Sequence, residues 1–317
     1  MEKGGSTDNK AREKIMYCAM PTRLQHLAEK IEKIAWESGY APSIPFNVGP
    51  FKYFEGGIIG RPETLRFMID YMDICGTVGV FGISEGVMGE LKAALDKGKK
   101  IRVFPGLDPE WDKKYEELEP RYGDLFSRLR GKNQLIALVG ARAIGKTFWS
   151  DFLLKSFGKS LGRVKNTTTR TPRSPEDHES YRFISEAEFN TEIRSCQFLE
   201  WDKYQGNHYG SSLNEIRRVL NKTHGIFAIT PNGAAALNSH RLEVNLTTIL
   251  LAPESEKVLL QNFGHRGITD PEKRAELLED AKNFTLPTEV RHRKVVITGD
   301  TEKDAKNILE IVEPLIS

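Results

Sequence analysis

The sequence predicts an α/β protein built from two domains, and three observations carry that reading. The chain has 317 residues, enough for two domains of ordinary size, each with its own core. Its N-terminal third alternates short apolar runs with amphipathic helical stretches. Near mid-chain, residues 134–149 read QLIALVGARAIGKTFW: an apolar strand, a glycine-bounded loop and the start of a helix.

Taken in order, residues 1–12 are rich in Gly, Ser, Asp, Asn and Lys and are expected to be a disordered tail. A first domain is expected over 13–107. Ile15–Met20 reads as a strand stopped by Pro21, and Leu24, Leu27, Ala28, Ile31, Ile34 and Ala35 then repeat at helical spacing up to Gly39. The stretch 41–61, rich in Pro, Gly and aromatics, is longer than a simple connection needs. It is a candidate binding loop, or equally a plain surface loop. A helix over 62–73, a strand over 77–81, a helix over 84–96 and a strand over 100–104 complete a Rossmann-like parallel sheet, with ligands expected at the carboxyl ends of its strands. Residues 108–132 are dense in charge and read as a helical linker, with the domain boundary near Gly131.

The second domain, 133–317, opens on the glycine loop. Gly140, Gly145, Lys146 and Thr147 match G-x-x-x-x-G-K-S/T around Ala141, Arg142, Ala143 and Ile144. Such a loop turns backbone N–H groups toward a phosphate, while the lysine serves phosphate and the hydroxyl serves Mg²⁺. The apolar run Leu135–Val139 suits a central parallel strand, and Phe148, Phe152, Leu153 and Phe157 follow at helical spacing. Ala143 stands where many such loops carry a further glycine. Strands are expected over 246–251 and 294–298, and helices over 271–284 and 302–316.

A formal net charge of +2 with 28% charged residues offers no global field for nucleic acid or an anionic membrane, so phosphate recognition has to be local. Three widely spaced cysteines, Cys18, Cys75 and Cys196, form neither a metal pattern nor a disulfide framework and fit a reducing compartment. No apolar run approaches a membrane span, so a soluble cytoplasmic protein is expected.

Two resemblances sharpen this. Tyr17-Cys18-Ala19-Met20-Pro21 and Glu85-Gly86-Val87-Met88-Gly89-Glu90 resemble the signatures of nucleoside 2-deoxyribosyltransferases and the related deoxynucleoside monophosphate N-glycosidases, over about 14–104. The resemblance implies an N-terminal site of Tyr17, Asp73 and Glu90, with Glu90 the nucleophile that traps an oxocarbenium-like sugar carbon. Met20 replaces a family glycine, and a solvated helix carboxylate remains the other reading of Glu90.

From about 134 to 317 the chain resembles the guanylate kinase family. Thr168-Thr169-Arg170-Thr171-Pro172-Arg173, Tyr181-Arg182-Phe183, Phe198-Leu199-Glu200 and Gly206-Asn207-His208-Tyr209-Gly210-Ser211 follow its signatures in order. The resemblance implies a P-loop kinase fold with nucleoside-monophosphate-binding and lid subdomains, using ATP and Mg²⁺. By that resemblance Arg170, Arg173, Tyr181 and Tyr209 would hold the acceptor phosphate, Glu200 would accept from the guanine N1–H and exocyclic amine, and Ser211 and Asn166 would lie beside the base. Lys146, Arg266 and Arg274 would be catalytic, the last two from the lid, with Thr147 on the metal. Each tyrosine could otherwise be an ordinary core residue and each arginine a surface charge. Ala228 and Thr230 replace the two carboxylates of the family's D-x-D, which could weaken Mg²⁺ organisation or admit a base with different edge groups.

The sequence thus leads to an ATP-dependent kinase acting on GMP, dGMP or a modified purine deoxynucleotide, with a homodimer as one possible assembly. The other reading is an N-glycosidase or deoxyribosyltransferase joined to a non-catalytic kinase-like module that binds nucleotide or phosphopeptide, against which the intact Gly145-Lys146-Thr147 argues.

Overall fold

A computed structural model describes residues 12–47, 60–204 and 206–316. The expected tail at 1–12 therefore lies outside the described residues apart from its last position. The chain divides into two compact units, residues 1–131 with 192–196 and residues 132–191 with 197–317.

In the first unit β1 (Ile15–Ala19), β2 (Ala41–Ser43), β3 (Thr77–Val80) and β4 (Lys100–Val103) form one sheet in the order β2-β1-β3-β4, and every pairing is parallel. Parallel neighbours need crossovers, and α1 (Ala28–Glu37), α2 (Gly60–Tyr71) and α3 (Glu85–Asp96) lie between successive strands. Ser84 caps α3 by accepting the Val87 N–H. Met16, Cys18, Ile31, Ala35 and Phe81 form the core, where Phe81 and Phe104 stack with centroids 4.5 Å apart.

Two expectations change here. The stretch 41–61 is not simply a loop, because its start pairs with β1 as a strand and Pro45–Asn47 forms a 3-10 turn; residues 48–59 lie outside the described residues. The charged stretch after 108 is α4 (Trp111–Arg130), which bends at Tyr122 just after Pro120 and buries Trp111, Tyr115, Leu118, Leu125 and Phe126.

The second unit is organised on a five-stranded parallel sheet. It contains β5 (Gln134–Gly140), β6 (Leu161–Arg163), β11 (His224–Ala228), β12 (Asn245–Pro253) and β13 (His292–Ile297), in the order β13-β12-β5-β11-β6. Strand β5 is central, and its apolar run divides by alternation. Ile136 and Leu138 pack into one layer with Trp149, Leu153 and Phe263, while Leu135, Ala137 and Val139 pack into the other with Phe227, Leu199 and Leu237. A strand buried on both faces reads as an unbroken apolar run for this reason. Helix α5 (Lys146–Phe157) begins directly after the glycine loop.

A second, four-stranded sheet holds β7 (Asn166–Thr168), β8 (Tyr181–Phe183), β9 (Phe198–Tyr204) and β10 (Asn207–Ser212) in the order β8-β7-β10-β9. Short helices α6 (Asp177–Ser180) and α7 (Glu186–Arg194) border it. Helices α8 (Leu213–Leu220) and α9 (Pro231–Asn238) flank β11, and α10 (Glu256–His265), α11 (Pro271–Lys282) and α12 (Thr301–Ile316) complete the unit. Among the described residues no helix is long and apolar enough to cross a membrane.

Candidate active site

The glycine loop follows β5 as the sequence predicts, and its backbone explains its residues. A Cβ on Gly140 would meet the Leu251 carbonyl oxygen at 2.5 Å, so only glycine fits beside β12. Gly145 has φ +102°. Ala143 has φ +62°, a left-handed conformation that costs a residue with a side chain about 1 kcal/mol. The missing glycine is thus tolerated under strain, with the Ala143 carbonyl tied by Asn262 Nδ2 at 2.9 Å.

Lys146 turns its ammonium back onto the loop, donating to the carbonyls of Gly140 (2.6 Å) and Ala141 (3.0 Å). Burial first, and then the charges of Arg266 and Arg142, push its pKa down to about 8. Arg266 is itself pulled below its ordinary value by desolvation and by the charges of Arg173 and Arg142. Four cations therefore converge on one region, which is electrostatically fit for polyphosphate. Arg142 lies 3.5 Å from Glu276 and 3.9 Å from Asp280 on α11. Arg274 Nε donates to the Ile268 carbonyl at 2.7 Å and braces the turn between α10 and α11.

The four-stranded sheet assembles the remaining candidates by register. Asn166 pairs with Tyr181, Tyr209 with both Thr168 and Asp202, and Ser211 with Glu200. Cross-strand partners share a face, as do residues two apart along a strand. Asn166, Tyr181, Glu200, Tyr209 and Ser211 consequently stand on one face of the sheet, although they come from four strands.

On that face Ser211 Oγ donates to Glu200 Oε1 and lies 3.2 Å from Asn166 Oδ1, and Asn166 Nδ2 donates to the Ala228 carbonyl at 2.5 Å. Glu200 is 7% exposed. Burial, partly offset by the Ser211 hydrogen bond and reinforced by the charge of Asp202, pushes it up to about 7. The rings of Tyr181 and Tyr209 lie 6.4 Å apart, with the Arg170 guanidinium 4.7 Å from the Tyr181 centroid. A cleft lined by Thr147, Arg163, Asn166, Tyr181 and Ala228 joins the glycine loop to this face.

Two carboxylates escaped the sequence reading. Asp177 accepts from Arg170 Nη1 at 2.9 Å and from the Arg173 backbone N–H at 2.7 Å, so one side chain organises both arginines. Its signal was its place four residues after Arg173, at the start of α6. Asp202 accepts from Thr230 Oγ1 at 2.8 Å and from Asn232 Nδ2 at 3.4 Å, and its signal was the i+2 spacing from Glu200 on a strand.

In the first unit Tyr17 donates its hydroxyl to Glu90 Oε1 at 2.7 Å, and both are buried. Glu90 Oε2 has no hydrogen-bond partner among the described residues. Burial pushes Glu90 up to about 7, against the Tyr17 hydrogen bond and the charge of Arg61. Asp73 does not join this pair. It is 58% exposed and ion-paired with Lys97 at 2.6 Å, four residues before β3 begins and so at the amino rather than the carboxyl ends of the strands.

A family model described as guanylate kinase matches residues 132–315. The guanylate kinase of Chlamydia felis is 31% identical over 172 residues, covering 54% of this chain and 82% of that protein. The guanylate kinase of Onion yellows phytoplasma is 28% identical over 188 residues, covering 58% and 87%. Among solved structures, guanylate kinase from Anaplasma phagocytophilum aligns with a TM-score of 0.41 at 18% identity, covering 59% of this chain and 88% of that one.

Proposed function

Because the chain belongs to the guanylate kinase family, we propose that its second unit transfers the γ-phosphate of ATP to a purine nucleoside monophosphate, GMP or dGMP or a modified counterpart, giving the diphosphate. The observation that carries this is the pairing of a cation-lined glycine loop with a sheet face bearing Glu200, Ser211 and Asn166, where Thr147 from the first and Asn166 and Tyr181 from the second line one cleft.

In this reading the loop N–H groups and Lys146 hold the donor phosphates, and Thr147 Oγ1 contributes to the Mg²⁺ that the nucleotide brings. The crowding of Lys146, Arg142, Arg173 and Arg266 supports the fit, since an added polyphosphate relieves that repulsion. Arg170, Arg173, Tyr181 and Tyr209 fix the acceptor phosphate, with Asp177 keeping the arginines in place. Ionised Glu200 accepts from the ring N–H of the base. Phosphoryl transfer needs positioning and charge neutralisation more than covalent chemistry, so no general base is required of the protein. A coupled ADP-release screen over GMP, dGMP, dAMP and dUMP tests the proposal, and activity on none of them counts against it. The three free cysteines fit a cytoplasmic setting for this chemistry.

A second reading concerns the first unit and is favoured by the buried Tyr17–Glu90 pair with its unpartnered oxygen. There Glu90 would attack C1′ of a deoxynucleotide while the C1′–N bond breaks and the base leaves with the electron pair, Tyr17 orienting the carboxylate. Release of free base from a deoxynucleoside monophosphate, abolished by Glu90→Ala, is the expected result. No release with the unsubstituted chain would sink it.

A further inference from the structure

We propose that Asp202 is a specificity-determining residue of the acceptor pocket, accepting a hydrogen bond from the exocyclic amine of a 2-amino-6-oxopurine. The inference rests on the kinase reading above and names what replaces the two carboxylates missing at Ala228 and Thr230.

Strand β11 ends at Ala228 with a methyl group, and what it offers the pocket there is its backbone carbonyl, already accepting from Asn166. Thr230, the second position, has no charge but is not idle. Its Oγ1 caps α9 by accepting the Gly233 N–H at 3.0 Å and donates to Asp202 Oδ2 at 2.8 Å. Asn232 Nδ2 lies 3.4 Å from the other oxygen of Asp202. A carboxylate is thus returned beside the second vacated position from strand β9 of the other sheet, held by Thr230 and Asn232.

Asp202 also faces the right way. It lies two residues after Glu200 and opposite Tyr209 in the ladder, so it shares the face that carries the other acceptor-site candidates. Its charge acts on Glu200. Glu200 Oε1 is engaged by Ser211, and Oε2 sits so close to Gly233 that a Cβ there would lie 2.4 Å away. A base edge with a ring N–H and an adjacent amine presents several donors side by side, and Glu200 and Asp202 present two carboxylates side by side. Two neighbouring carboxylates repel each other, and a ligand edge with two donors relieves that repulsion where one with a single donor does so only in part. Each oxygen of Asp202 retains a lone pair beyond its bond to Thr230 or Asn232.

GMP and IMP differ only in the amine, which makes them the probes. In calorimetric titrations of the full chain, the unsubstituted protein is expected to bind GMP at least about tenfold more tightly than IMP, and Asp202→Asn to narrow that ratio to within about threefold with IMP affinity little changed. Thr230→Val, which removes the hydroxyl that holds the carboxylate, should narrow it by a smaller factor and serves independently should Asp202→Asn fail to fold. A folded variant of either kind that keeps the full ratio overturns the proposal, as does an unsubstituted protein that binds both nucleotides equally or neither. Turnover measured in parallel separates the two readings. A ratio that collapses in the variants while the unsubstituted chain transfers no phosphate supports the role of Asp202 and overturns the kinase.

Discussion

Glu90 in the first unit and Glu200 in the second are alike by most local measures. Each is under a tenth exposed, each is pushed up to about 7 chiefly by burial, and each accepts a hydroxyl hydrogen bond, from Tyr17 and from Ser211. What surrounds them differs. Glu200 belongs to a connected set that runs through Ser211 and Asn166 to Ala228, has Asp202 beside it, and ends in Asn166 and Ala228, which line a cleft with Thr147. Among the described residues Glu90 has one hydrogen-bond partner, one orphaned oxygen and the charge of Arg61, while Asp73 is tied to Lys97. A shifted carboxyl therefore marks a buried carboxyl, and the reading of function rests on how many independent groups converge on it.

The largest effect expected is at the donor loop. Lys146→Ala should lower kcat for GMP by about a thousandfold in a coupled ADP-release assay, because a charge placed at the transferring phosphate has no replacement. A residual rate within tenfold would break the contrast from the kinase side. Glu200→Gln comes next, lowering kcat/KM for GMP by about a hundredfold through loss of the ionised acceptor. In the unsubstituted protein, protonation of Glu200 as pH falls below about 7 removes the same acceptor, so KM for GMP should rise toward acid pH, and the glutamine variant should flatten that profile.

For Glu90 the contrast is sharpest in stability. A carboxyl whose folded pKa lies above its unfolded value binds its proton more tightly when folded. Its contribution is complete below the unfolded value near 4.5, is lost as pH rises toward about 7, and stays lost above that. Glutamine keeps an oxygen for the Tyr17 hydroxyl and cannot ionise. Glu90→Gln should therefore be more stable than the unsubstituted chain at pH 8 by about 2 kcal/mol in urea unfolding, with the gap closing near pH 4.5. A gap independent of pH would show that burial does not govern Glu90. The smallest effect belongs to Ala143→Gly, which relieves a left-handed alanine and should raise the free energy of unfolding in urea by about 0.5 kcal/mol, the gain limited by the greater freedom of glycine in the unfolded chain.

Much of this was legible in the sequence because it is local. The strand, loop and helix around Gly140–Thr147 follow from an apolar run, two glycines and a helical repeat, and the acceptor candidates fell on one sheet face because the strands alternate. Strand β2 was missed because Ala41-Pro42-Ser43 is short and carries a proline, which is admissible on the edge strand it turns out to be. Asp177 was missed because its bonds to Arg170 and Arg173 depend on how the turn between them folds, and Asp202 because its partner Thr230 lies 28 residues on, at another strand's exit. Asp73 and Arg274 have partners of the same kind, Lys97 and the Ile268 carbonyl, which meet them only once the chain has folded.

The most direct test follows the phosphate itself. With γ-labelled ATP, Mg²⁺ and GMP, the account predicts label in GDP, at a rate that falls with Lys146→Ala and with Glu200→Gln. Label that stays in ATP, or that appears only as inorganic phosphate whether or not GMP is present, would contradict it.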